Sequence, residues 1–173
     1  MPPDSASDAS DEAPSSPEGS EEPALLYRVP IHEWDESDQP REKLLTHGPT
    51  VLSDADVADV YGPLLRDLDK EVFKVVHLNT ANVIIGDYTV SEGGLSSSAV
   101  EPRGVFEQAI LDDAATVICL HNHPPGNPEP SREDIRITRQ LAEAGGTMGI
   151  PVHDHLIIAG TKHTSLAERG VID

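Results

Sequence analysis

Two hydrophobic periodicities alternate along this chain of 173 residues. After Ser53, the apolar positions Val57, Val60, Leu64, Leu65 and Leu68 recur at helical spacing, and Ser53 is placed to cap a helix starting at Asp54. Gly62-Pro63 falls inside that pattern and is expected to kink or split it. At Glu71 the pattern gives way to Val72–Leu78, a run rich in β-branched residues that reads as a strand. Residues 79–82 predict a turn and 83–85 a second strand, which makes an early hairpin. Residues 105–111 return to helical spacing, and 115–120 read as a fully buried strand. A helix is predicted over 131–144, stopping at Gly145-Gly146. A strand over 152–159 and a short helical turn over 165–168 complete the chain. Elements mixed in this way predict a three-layer α/β (α+β mixed) domain with no internal repeat.

Residues 1–24 break the patterning altogether. They hold seven acids (Asp4, Asp8, Asp11, Glu12, Glu18, Glu21 and Glu22), no Lys or Arg, and mostly Ser, Pro, Ala and Gly otherwise. Such a segment buries too little apolar surface to offset its ordering entropy, so a disordered acidic tail is expected. Residues 25–52, interrupted by Pro30, Pro40 and Pro49, read as an irregular arm, and 53–173 as the folded domain.

Charge narrows the functional classes. Against 31 Asp and Glu stand 12 Lys and Arg, a formal net charge of -19. A field of that sign disfavours nucleic acid as a partner, and 3% aromatic content argues against base-stacking platforms. Cys119 is the only cysteine, which excludes an internal disulfide framework and zinc fingers built on paired thiolates. No apolar run approaches the ~20 residues that span a bilayer. The N-terminus lacks the basic start and apolar stretch of a secretory signal. A cytoplasmic protein without membrane association is expected.

The chemistry concentrates in residues 121–134. His121 and His123 lie at i and i+2 where a strand ends, so their rings project to the same side. Imidazole nitrogens so placed can share one metal ion at about 2.0–2.1 Å. Asp134, in the first turn of the following helix, returns to the same point if the Pro/Gly-rich loop folds back. Two histidines and a carboxylate leave a fourth tetrahedral position for water, as catalytic zinc sites do. A plainer reading also fits part of this stretch: Ser131 and Asp134 have the spacing of a helix N-cap, which needs no metal. The two are compatible, because a cap fixes where Asp134 points.

His-x-His, seven residues, then Ser-x-x-Asp resembles the signature of the JAMM (also JAB or MPN) metalloprotease family. The fuller run His121-Asn122-His123-Pro124-x-Gly126, followed by Pro130-Ser131-x-x-Asp134-x-x-x-Thr138, resembles its RadC branch. Leu141 and Asp154-His155 match the same branch, whereas Pro125 stands where its members usually carry Ser. Pro40-Arg41-Glu42-Lys43-Leu44-Leu45, Gly48-Pro49 and Leu52-Ser53-Asp54-Ala55 resemble the RadC start. The helix-hairpin-helix region that typical members carry next, associated with DNA binding, is missing here. The resemblance implies a cytidine-deaminase-like JAB/MPN fold with a mixed central sheet. It further implies a zinc-dependent hydrolase of peptide or isopeptide bonds, with one Zn2+ per chain. His121, His123 and Asp134 would be the ligands, Ser131 a partner of the water or oxyanion, and a glutamate the general base. Glu71, Glu101 and Glu107 are the candidates, and Glu71 has the family's position at the first helix–strand junction. The alternatives are a non-catalytic MPN-type binding module and a DNA-repair-associated RadC-like protein. A base deaminase is excluded, since its paired cysteine ligands cannot come from Cys119 alone.

Other polar residues carry plainer expectations. His153 and His155 repeat the i, i+2 spacing without a third ligand nearby, so a structural role is favoured, with His155 placed to line the cleft. His77 reads as a core or sheet-face histidine. Cys119 reads as a small buried hydrophobe. A substrate-side loop is one reading of Ser96-Ser97-Ser98, but nothing in the residue pattern carries it.

Overall fold

The computed structural model describes residues 48–96 and 99–173. The tail 1–24, the arm up to residue 47, Ser97 and Ser98 lie outside the described residues. Five strands form one sheet: β1 (Val72–Leu78), β2 (Ile84–Glu92), β3 (Thr116–Asn122), β4 (Val152–Ala159) and β5 (Lys162–Ser165), in the order β2-β1-β3-β4-β5. Only β3 and β4 pair in parallel, and the other pairs are antiparallel. The helices are α1 (Asp54–Leu65), α2 (Pro102–Leu111) and α3 (Arg132–Met148).

Strand alternation sorts the core onto two faces. Val72, Val76, Leu78, Ile118, Leu120 and Leu156 pack with Val57, Tyr61 and Leu65 of α1. Phe73, Val75, Val117 and Cys119 pack with Val105 and Phe106 of α2 and Ile137 and Leu141 of α3. The result is the predicted three-layer mixed domain. β3 is central and buried on both faces, so the histidines at its end rest on the stiffest part of the sheet.

Several local expectations need correction. α1 runs unbroken through Pro63, with Ser53 closing a capping box with Asp56; Pro63 sits near the C-terminal end, where its missing N–H costs a single bond. β2 extends to Glu92 although Asp87, Thr89 and Ser91 interrupt its apolar character, because an edge strand tolerates polar residues. Beyond β4 there is a hairpin through Gly160 (φ +60°) into β5, and residues 166–170 are turns rather than helix. Residues 48–51 of the arm are tied to the start of β2 by backbone bonds, including Ile84 N–H to Pro49 C=O at 3.1 Å.

α3 continues one turn past the expected stop. Gly149, at φ +73°, is the true left-handed cap, while Gly145 is a packing glycine. A Cβ on Gly145 would lie 2.5 Å from the Ile150 carbonyl oxygen and 3.0 Å from Phe106 Cζ, whereas one on Gly146 meets nothing within 4 Å. Gly145→Ala is therefore expected to destabilise: the clash with backbone, roughly 1–3 kcal/mol, exceeds the gain of about 1 kcal/mol in helix propensity. Gly146→Ala should keep that gain. Urea midpoints that move in opposite directions would bear this out, and parallel shifts would contradict it.

Candidate metal centre

His121 leaves the end of β3 on the α3 side of the sheet, the same side as Cys119 two residues earlier. His123 follows just beyond the strand, where its backbone N–H still bonds the Ile158 carbonyl of β4 at 2.8 Å. The loop then folds back through Gly126 (φ +83°), whose N–H bonds the His123 carbonyl at 2.9 Å. At its far end Ser131 caps α3 in a full capping box: Ser131 Oγ accepts from Asp134 N–H at 3.1 Å, and Ser131 N–H donates to Asp134 Oδ2 at 2.6 Å. The cap aims the Asp134 carboxylate at the two rings. The capping and ligand readings of the sequence thus meet in one geometry.

The donor atoms converge. His121 Nε2 and His123 Nε2 are 2.9 Å apart. Asp134 Oδ1 lies 3.3 Å from the first and Oδ2 3.4 Å from the second. Zinc bonds of about 2.0–2.1 Å in a tetrahedron place neighbouring ligands about 3.3–3.4 Å apart; the two carboxylate–imidazole separations match that edge, and the imidazole pair is closer than it. The protonation pattern agrees. His123 Nδ1 lies 2.8 Å from the Asn127 carbonyl, which only accepts, so Nδ1 carries the proton and Nε2 offers a lone pair. The Ser131 N–H bond to Oδ2 favours the charged form of the Asp134 carboxylate. Together with Glu71, these closely packed donors form a group able to hold a metal ion.

Glu71 stands one step further out. Its Oε1 is 3.8 Å from His121 Nε2 and 3.9 Å from His123 Nε2, beyond a tetrahedron edge, and its side chain keeps 28% exposure. Leu95 N–H donates to Oε2 at 3.3 Å. Glu101 and Glu107 are exposed, at the cap and on the outer surface of α2, and neither joins the cluster.

What holds Glu71 is a contact that no local spacing reveals. Asn122, between the two histidines, points to the opposite side of the sheet from His121. Its Oδ1 accepts from Val72 N–H at 2.7 Å, and its Nδ2 donates to the Lys70 carbonyl at 2.9 Å. The buried amide thereby clamps the backbone on both sides of Glu71. Asn122→Asp keeps the acceptor but turns the donor into an oxygen facing a carbonyl. A stability loss of about 1–3 kcal/mol is expected from the unpaired buried groups. A denaturation midpoint unchanged from wild type would show that the clamp is not needed.

His155 is not in the cleft. It is wholly buried behind His121, its Nε2 2.7 Å from His121 Nδ1 and its Nδ1 2.5 Å from Thr138 Oγ1. Burial, with the neighbouring His121, pushes its imidazole well below the ordinary value, so the ring is neutral. His153 is exposed and lies beside a separate cavity of about 180 Å³ with Asp54 and Asp154. His77 is buried and bonded through Nδ1 to Asp112 at 2.8 Å. Cys119 is the expected buried hydrophobe, its thiol pushed up to about 12 by burial and by Asp154.

A mixed sheet between helical layers, with paired histidines at the end of its central strand and a carboxylate opposite, defines the JAB/MPN class of domain. The chain belongs to the RadC-like JAB domain family, whose model matches residues 51–171. A UPF0758 N-terminal model matches residues 31–60. A UPF0758 protein of Salinibacter ruber is 62% identical over 233 residues, covering 86% of this chain and 100% of its own length. Because 86% of this chain cannot fill 233 aligned positions, that relative carries a segment with no counterpart here. UPF0758 proteins of Clostridium beijerinckii and Caldanaerobacter subterraneus are 44% and 48% identical over 75% and 72% of this chain. The chain spans 57% and 53% of their lengths. Among the described residues no helix is long and apolar enough to cross a membrane.

Proposed function

We propose that this chain is a zinc-dependent hydrolase acting on a peptide or isopeptide bond. What supports this most is the convergence of His121, His123 and Asp134 near zinc-ligand separations, with a glutamate placed just outside ligand distance. His121 Nε2, His123 Nε2 and an Asp134 oxygen would hold the ion. Zinc, when bound, supplies Lewis acidity toward a water and a carbonyl oxygen. Glu71 Oε1 takes a proton from the attacking water and returns it to the leaving amine. Capping uses only a lone pair of Ser131 Oγ, which leaves its O–H to donate to the oxygen of the tetrahedral adduct. Asn122 keeps Glu71 from drifting off line. Protein purified without chelator should contain one zinc per chain and cleave peptide or isopeptide substrates, losing activity to a chelator and regaining it with zinc. Bound zinc without cleavage of either substrate class would favour the binding-module reading.

A further inference from the structure

We infer that Thr138 and His155 are positioning residues that lock the proton of the His121 ring onto Nδ1 and so present a bare Nε2 to the metal. The inference builds on the metal-site reading above and concerns what makes His121 competent as a ligand.

An imidazole can bind through Nε2 only if its proton sits on Nδ1. Thr138 Oγ1 lies 2.6 Å from the Asp134 carbonyl oxygen and 2.5 Å from His155 Nδ1. The hydroxyl has one hydrogen to share between them. A carbonyl oxygen can only accept, so that hydrogen lies between Oγ1 and the Asp134 carbonyl. His155 Nδ1 must then carry a hydrogen and donate it to Thr138. The His155 ring is wholly buried and bonds only Thr138 and His121, with no carboxylate to balance a charge, so it is neutral and its Nε2 is bare. Its partner at 2.7 Å, His121 Nδ1, therefore carries a hydrogen and donates in turn. His121 Nε2 is left as a lone pair aimed at His123 Nε2 and Asp134 Oδ1.

The opposite order is also self-consistent. If the Thr138 hydrogen pointed at His155, every later bond would reverse, and His121 would offer an N–H where a ligand is needed. The Asp134 carbonyl excludes this order. One residue thus supplies a carboxylate to the cluster and, through its backbone, selects the tautomer of a ring three hydrogen bonds away. His121, Thr138 and His155 are each 0% exposed, so bulk water does not compete for these bonds. Phe73 lies against both rings, stacked on His121 at 6.2 Å and edge-on to His155 at 5.4 Å, and opposes ring rotation.

The test uses the full chain labelled with 15N and stripped of metal, with ring-nitrogen shifts read by NMR. Protonated Nδ1 and bare Nε2 on both His121 and His155 are expected. A protonated Nε2 on His121 overturns the inference whether or not the protein binds zinc. Zinc affinity, measured by competition with a chelating dye, provides the second readout. Thr138→Val and His155→Leu should each weaken binding by about 10–100-fold, the cost of losing an outer partner of a ligating histidine. His155→Gln should stay within a few-fold of wild type, because its carbonyl accepts from His121 while its NH2 donates to Thr138. Equal loss in the Gln and Leu variants, or no loss in Leu, contradicts the lock. Failure of the wild type to bind zinc sinks the metal reading instead, and the ring shifts still judge the tautomer.

Discussion

Glu71→Gln is expected to retain wild-type zinc content while amide hydrolysis falls by about 10²–10⁴-fold, the range that positioned proton transfer contributes. Glutamine matches glutamate in size, and its carbonyl still accepts from Leu95 N–H, so the loop contact survives. Asn122 and the Gly93 N–H bond to the Glu71 carbonyl (2.7 Å) hold the backbone, not the side chain, so the position of residue 71 is unchanged. What disappears is the ability to take a proton. Because Glu71 stands 3.8 and 3.9 Å from the ring nitrogens, losing its charge removes no ligand. Metal analysis with kcat/KM on peptide and isopeptide substrates separates the two effects. A variant as active as wild type would remove Glu71 from the chemistry, and one that lost zinc would make it a ligand.

Asp134→Asn is expected to weaken zinc binding by more than the ~100-fold that an outer partner can cost, with no loss of fold. Ser131 N–H donates to Oδ2 at 2.6 Å and demands an oxygen there, which places the new NH2 at the Oδ1 position, 3.3 Å from His121 Nε2. The amide then donates to the lone pair that zinc would have taken. Zinc affinity decides it, and a melting curve in chelator confirms that the variant folds. Wild-type affinity in the variant would exclude Asp134 as a ligand.

The parts of the site that were legible in the sequence are those set by local spacing. His121 and His123 share a side because strand alternation has period two, and Asp134 is fixed by a cap only three residues long. Glu71 was reached through resemblance, since nothing local joins it to a motif some fifty positions later. The roles of Asn122, Thr138 and His155 were hidden for the same reason. Each depends on a hydrogen bond that only the β1–β3 pairing, the β3–β4 pairing or the seating of α3 brings about. His155 faces Cys119 across the parallel β3–β4 pair, which sets it behind His121 rather than in the opening. The misplaced end of α3 has a similar cause: Gly145 answers to Phe106 and Ile150, partners that no helix-stop rule can see.

X-ray absorption at the zinc edge of the purified full chain tests the ligand set most directly. Four nitrogen or oxygen neighbours at about 2.0–2.1 Å, with the scattering pattern of two imidazole rings, are predicted. A sulfur neighbour at about 2.3 Å, a single imidazole, or a chain that takes up no zinc would contradict it.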